Sequence, residues 1–382
     1  MFAILKKLDY CIGKIVFPLL YVFSPGLAAG KKISPERIKK ILCIKLWGLG
    51  NLTIILPLLH KIKLQFPNAQ LLFLTFDSNR DFFKQSEIVD RVYFFPFTRN
   101  FLKIIYYFIS FRSSLRKENI DLAINFEQCN NVSLLMLVLA KITFRIGLRT
   151  RFRFVNAFYT KTVKNNPAVH ISNLFSDILL PLGINRGDYS YSIFKVNAQA
   201  KDKVQNLLKK INIKNRFVCI HPGCSVNFKG KRWDYAYFSR FADDLIKRHG
   251  TSVIFTGNPE EVLIINKIIL NMQKKAFNFA SLLNVAELIE LLRISCLFVS
   301  NDTGPVHIAA SLGINTAVVY GPTSPNRYRP LNKNSICFYK NLNCSPCLYD
   351  SNYKVSLCMN PKCLSISPET VLDDISKKFF IK

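Results

Sequence analysis

Acidic side chains are scarce in this sequence: 24 Asp and Glu stand against 53 Lys and Arg, a formal charge of +29. Such an imbalance favours polyanionic partners, namely nucleic acid, anionic lipid or phosphorylated glycan, although a lysine-rich proteome would produce it too. A long apolar run is also missing. The most apolar stretch near the start, Ile15 to Phe23, has nine residues, with Lys14 before it and Pro18 inside it. About 20 are needed for a helix to cross a bilayer, so an interfacial or re-entrant anchor is expected over residues 1–35. A marginal span and a staple onto the protein's own core are the alternatives. No cleavable signal peptide is evident. The cysteines number eleven, an odd count, and seven are scattered outside the C-terminal cluster, several in apolar segments (Cys43, Cys219, Cys296). That excludes a simple disulfide framework and suits a reducing compartment.

What is present is material for a large core. Of 382 residues, 49% are hydrophobic and 20% charged, and the length predicts two domains. Strand-like runs alternate with helical patterns: "KILCIKLW", then a helix to about Lys63, then "AQLLFLTF", "RVYFFPF", an aromatic helix around "LKIIYYFISFRSSLRK", and "DLAINFEQ". The pattern loosens near residues 184–200. A second series follows: "RFVCIHPG", a helix ending at Gly250, "TSVIFTGNPEE", "CLFVSNDTGPVHIAASLG" and "NTAVVYGPTS". Ser367 caps a final helix, with Glu369 in its first turn. The expected fold class is therefore α/β with parallel sheets, one spanning 36–190 and one 191–382, the latter carrying a Cys-rich loop at 337–363.

Ligands in open parallel sheets sit beyond the carboxyl ends of the strands. Two segments meet that condition with glycine turns. "KLWGLGNLT" places Gly48 and Gly50 before a helix, and "SNDTGPVHIAASLG" opens a helix near Pro305. Asp302 or Thr303 can cap that helix, and Gly304 lets backbone approach a ligand. Its N–H groups and dipole suit an anion such as a pyrophosphate; a plain capped helix is the competing reading. The stretch Lys141 to Lys164 carries seven basic residues and no acidic one. Its arginines, Arg145, Arg149 and Arg151 among them, suit phosphate or carboxylate recognition, or form a solvated loop. Cys344-Ser-Pro-Cys347 is followed by Cys358 and Cys363. Four thiolates so spaced could hold a structural zinc, or could be free thiols packing a loop.

"HPGCSVNFKGKRWDYAYFSRFADDL", "TGNPEE", "NDTGPVHIAASLG" and "YGPTSPNRYRP" resemble, in order, the C-terminal half of glycosyltransferase family 9, which contains the heptosyltransferases of lipopolysaccharide core assembly. "IKLWGLGNLTIILPLLHKIKLQFPNAQLLFLT" and "DLAINFEQCNN…RIGLRT" are similar to its N-terminal half, so the resemblance runs from about Ile41 to Ile375. It implies a glycosyltransferase B fold, two Rossmann-like domains facing across a cleft, with the acceptor held by the first and the nucleotide sugar by the second. It implies inverting, metal-independent transfer, with ADP-heptose as donor and an anionic lipid-linked glycan as acceptor, on the inner face of the cytoplasmic membrane.

Carried over by position, Thr303 and Gly304 would hold the diphosphate beside Asp302 and Pro305, with His307 behind. Lys229 or Lys231 would neutralise the leaving nucleotide, while Gly257 and Glu261 would lie near base and ribose. Gly48 and Gly50 would admit the acceptor. The family's first motif ends in Gly-Asp, the aspartate being the usual proposed base; here it is Gly50-Asn51, and an amide has no useful basicity. Glu127 and Asp77, each after a predicted strand, are the candidates to replace it, Glu127 preferred. The missing aspartate also admits a non-catalytic binding or scaffold protein. No nucleic-acid motif accompanies the charge, so nucleic acid is not expected as a partner.

Overall fold

The structure is a computed structural model describing residues 2–27, 35–96, 98, 100–129, 131–187, 194–213, 216–224, 226–348, 358 and 361–380. The chain divides into two compact units, Met1–Gly187 with Asp350–Tyr353, and Asp188–Tyr349 with Lys354–Lys382.

In the first unit, six parallel strands form one sheet: β1 Lys40–Ile44, β2 Gln70–Phe76, β3 Arg91–Phe95, β4 Leu122–Asn125, β5 Phe144–Arg149 and β6 Lys161–Lys164. Their order is β3-β2-β1-β4-β5-β6. Chain direction reverses across the sheet between β1 and β4, where Ile41 to Ile44 pair with Leu122 to Asn125. The central strands are buried along almost their whole length, which requires helices on both faces and explains their continuous apolar runs.

The second unit repeats the plan with β7 Phe217–His221, β8 Ser252–Phe255, β9 Phe277–Asn278, β10 Leu297–Asn301, β11 Thr316–Val319 and β12 Ser335–Phe338. Its order, β12-β11-β10-β7-β8-β9, is the same arrangement, with the reversal between β7 and β10. Local chemistry sets its helices. Asp234 caps Tyr235–His249, which ends at Gly250 with φ +62°; Asn284 and Glu287 form a reciprocal capping box on Val285–Ile294; Ser367 caps Pro368–Phe379.

The N-terminal segment expected at a membrane surface is helical in three successive pieces, Phe2–Cys11, Ile12–Val16 and Phe17–Phe23. One face is docked: Ile12 and Phe17 pack with Leu134, Val138, Val155 and Phe158. A side chain on Gly13 would come within 2.6 Å of Asn131 and 2.7 Å of Phe152, so only glycine permits this approach. The other face exposes Ile15, Leu19, Val22 and Phe23. Among the described residues no helix is long and apolar enough to cross a membrane.

Candidate active site

Each sheet carries a candidate site at its topological switch point, where diverging crossovers leave a crevice at the strand ends. In the first unit the chain leaves β1 through Lys45, Leu46 and Trp47. Gly48 adopts φ +88°, a conformation that disfavours any side chain, and the helix Leu49–Gln65 follows. The Leu46 backbone is clamped from both sides. Its N–H donates to Glu127 Oε1 at 2.5 Å, and its carbonyl accepts from Asn79 Nδ2 at 3.0 Å and from Thr75 Oγ1 at 3.5 Å. Glu127 Oε2 accepts from Lys45 Nζ at 3.0 Å, and the same ammonium donates to Gln128 Oε1 at 2.8 Å. Glu127 is only 3% exposed and Lys45 1%. Both carboxylate oxygens are engaged within the protein, which is the arrangement of an anchor for the turn.

Asp77 is placed differently. It follows β2 on the same edge of the sheet, two residues before the clamping Asn79. It is half exposed and, among the described residues, its side chain bonds with Arg80 of its own turn, through Oδ1 at 2.6 and 3.0 Å. Asn51, the third residue of its helix, is half-buried and lies against Gly48, its Nδ2 3.3 Å from the point where a Gly48 side chain would begin. Asp9 of the N-terminal segment joins this region as well. Its carboxylate accepts from Val132 N and Asn131 Nδ2, each at 3.0 Å, at the start of the helix Asn131–Leu139. Burial pushes its pKa up to about 6, the Glu127 charge adds to the rise, and the two donors oppose it.

In the second unit β10 ends in Asn301, which is fully buried. Its side chain accepts from Trp233 N at 2.8 Å and donates to Pro222 O at 2.7 Å, tying the strand end to the loop after β7. Asp302 Oδ2 accepts from Lys231 Nζ and from Thr323 Oγ1, both at 2.7 Å. Thr303 is the N-cap of the helix Gly304–Ser311, and no side chain caps that helix. Its N-terminal N–H groups and positive dipole end thus stand next to Asp302 and the ammonium it holds, the makings of an anion site. His307 is buried one turn in. Arg232, the neighbour of Lys231, has a buried Nε with no acceptor among the described residues.

Residues 108–355 match the family model described as glycosyltransferase family 9 (heptosyltransferase). The chain belongs to glycosyltransferase family 9. This family 9 enzyme is 26% identical over 334 residues to lipooligosaccharide heptosyltransferase 2 of Campylobacter jejuni, covering 85% of this chain and 93% of the relative. In structure it is similar to a family 9 glycosyltransferase from Veillonella parvula, with a TM-score of 0.73 at 18% identity, over 93% of this chain and 99% of that one. The E. coli heptosyltransferase WaaC with ADP aligns at a TM-score of 0.66 and 18% identity, over 89% and 99%. The fold is glycosyltransferase B, with two Rossmann-like α/β units, as the motifs implied.

The glycosyltransferase departs from several residue-level expectations. Arg145 is no surface ligand for an acceptor: it is 2% exposed, and its guanidinium donates to the carbonyls of Phe158, Ile142 and Leu27 at 2.6, 2.5 and 2.9 Å. Burial lowers its pKa to about 10. Arg149 and Arg151 are exposed, Arg151 lying over the rings of Tyr10 and Phe152. Glu261 is likewise internal. It is 1% exposed, caps its own helix through Asn258 N at 2.8 Å, and lies 3.6 Å from His221 Nε2. Its carboxylate occupies the space a side chain on Gly223 would need, and Gly257 is small because Ile265 and Glu261 pack against it. Glu260, one position earlier, is the exposed carboxylate of that turn. The side chain of Lys229 lies outside the described residues.

The four C-terminal cysteines differ in burial but act on one another electrostatically. Cys344, Cys347 and Cys358 are exposed, while Cys363 is buried against Gly321. Burial raises its thiol pKa, with the other three cysteines adding to the rise. Among the described residues no three His, Cys, Asp or Glu side chains are grouped to hold a metal ion.

Residues that sequence reasoning missed are Lys45, Asn79, Arg232 and Asp9. Lys45 alone left a signal, as the single charge in the apolar run Ile41–Trp47 that continues past β1.

Proposed function

We propose that this glycosyltransferase moves heptose from ADP-heptose, with inversion, onto the acidic core of a lipid-linked, lipopolysaccharide-type acceptor at the inner surface of the cytoplasmic membrane. The observation that carries the donor half is the uncapped N-terminus of the helix Gly304–Ser311, with Lys231 held at 2.7 Å from Asp302 beside it. The names of the relatives support heptose and ADP. The exposed apolar face of the N-terminal segment and the net positive charge support an anionic membrane surface.

In this reaction an acceptor hydroxyl attacks the anomeric carbon from the face opposite the diphosphate. The new C–O bond forms as the bond to the diphosphate oxygen breaks, and ADP leaves with that electron pair. Backbone N–H groups at Thr303 and Gly304, with the Lys231 ammonium, meet the charge developing on the leaving group, a role that fixed dipoles and cations fill without a metal ion. The hydroxyl proton needs a carboxylate within reach. We assign it to Asp77, the accessible carboxylate beside the clamped turn, and give Glu127 the part of positioning residue. Asn51 orients the hydroxyl.

Thermal unfolding across a nucleotide panel tests the donor assignment. ADP and ADP-heptose should raise Tm in a concentration-dependent way, and UDP and GDP should not. Saturation at 100 times Kd stabilises the native state by about 2.7 kcal/mol. Equal indifference to all four compounds would remove the donor site.

A further inference from the structure

Unit 1 contains a cavity of about 220 Å³ whose lining is hydrocarbon apart from one hydroxyl. Leu8 and Ile12 of the N-terminal segment form one wall, Ile104 and Phe108 of the helix Phe101–Lys117 another, and Phe76 at the end of β2 and Met136 of the helix Asn131–Leu139 complete the lining. The one hydroxyl, Ser133 Oγ, already accepts from Asn125 Nδ2 at 2.9 Å. A polar ligand would therefore find no partner here, and burying its polar groups would be unfavourable. Apolar cavities of ~150 Å³ already bind benzene-sized hydrocarbon, so this one is large enough for a stretch of alkyl chain.

Its position says which hydrocarbon. The cavity lies between the two elements of this unit that expose apolar stripes. On the helix Phe101–Lys117, Leu102, Ile105, Tyr106 and Ile109 are 75%, 41%, 68% and 52% exposed at helical spacing, and Ile105 also lines the cavity. On the N-terminal segment Ile15, Leu19, Val22 and Phe23 are exposed in the same manner. Exposed lysines flank both stripes, Lys7 and Lys14 on one and Lys103 on the other, which complements an anionic headgroup. The cavity also shares Leu46 with the clamped turn after β1.

We propose that this cavity takes one fatty acyl chain of the lipid acceptor, seating the glycolipid next to the acceptor-side turn while the two apolar stripes and their lysines rest on the membrane surface. This rests on the acceptor assignment made above. It adds a recognition element outside the sugar: a site that selects acceptors still carrying acyl chains.

The test uses the full chain and cis-parinaric acid, a fluorescent fatty acid. Trp47 is the built-in energy donor, its ring 4.6 Å from that of the cavity residue Phe76. Energy transfer from Trp47 should saturate at one probe per protein, and the cavity-filling pair Leu8→Phe/Ile104→Phe should weaken probe binding at least tenfold. Leu102→Ser/Tyr106→Ser, on the outer stripe, should leave it unchanged. A heptose-free lipooligosaccharide should displace the probe, and the same molecule after complete deacylation should not. Wild-type affinity in the folded filled variant, shown by unaltered Tm, overturns the site. Displacement by the deacylated molecule, or by neither form, overturns the assignment to the acceptor's acyl chain. None of these readings depends on sugar transfer, so a failure with ADP-heptose would count against the proposed reaction alone.

Discussion

Lys45 Nζ stands 3.0 Å from Glu127 Oε2, with 2% and 3% of the two side chains exposed, at the point where the strand order of the first sheet reverses. A charge pair taken this far out of water is held by its own completeness. Removing one partner leaves the other buried and uncompensated, at a cost of about 3–5 kcal/mol, whereas replacing both with apolar groups is often neutral. Urea unfolding should show Lys45→Met and Glu127→Gln each strongly destabilised, and Lys45→Met/Glu127→Leu restored to within about 1–2 kcal/mol of wild type. Additive losses in the double variant would contradict the anchor role.

If Glu127 positions and Asp77 accepts the proton, their variants should fail differently. Asp77→Asn should reduce kcat by about 100-fold or more, within the range for a general base, with donor KM and Tm unchanged. Added formate should partly restore Asp77→Ala. Glu127→Ala should lose stability and gain nothing from formate. Rescue of Glu127→Ala in place of Asp77→Ala would reverse the assignment.

The Lys231–Asp302 pair makes a prediction for the donor. Charge-assisted hydrogen bonds contribute about 1.5–3 kcal/mol, so Lys231→Met should raise the Kd for ADP roughly tenfold to a hundredfold. Isothermal titration of ADP measures this directly. Asp302→Asn frees the lysine from its tether and should have a smaller effect. An unchanged ADP affinity in Lys231→Met would place the diphosphate elsewhere.

Asp9 gives stability a pH dependence of known sign. Its pKa rises from an unfolded value near ~3.9 to about 6 in the folded chain. The native state therefore binds the proton more tightly, and this group's contribution favours folding below the unfolded pKa. That contribution is lost as pH rises through about 6, by roughly 2–3 kcal/mol in all. Urea midpoints measured from pH 4 to 7 should show this slope in wild type and a flatter one in Asp9→Asn. Parallel profiles would show that Asp9 is not the group responsible.

The sheets were legible because their central strands are buried on both faces and so read as unbroken apolar runs. The edge strands were not: Lys161–Lys164 is half exposed and carries a lysine at each end, and Phe277–Asn278 has only two residues. The glycine turn at Gly48 and the helix start at Thr303–Gly304 were readable from local chemistry. Side-chain direction was not. Arg145 sits in a basic stretch yet turns inward to three carbonyls, and Glu261 and Glu260 are separated in fate by one step of helical phase. The partners Lys45 and Glu127 lie 82 residues apart, so their pairing depends on β1 and β4 being neighbours, which no local pattern states.

Transfer itself is the most direct measurement. The full-length protein, ADP-heptose and a heptose-free lipooligosaccharide should release ADP and extend the acceptor by one heptose. Proton NMR of the product should show an anomeric configuration opposite to the donor's, with the reaction persisting in excess EDTA. No ADP release above the rate without acceptor, under conditions where ADP-heptose is shown to bind, would contradict it.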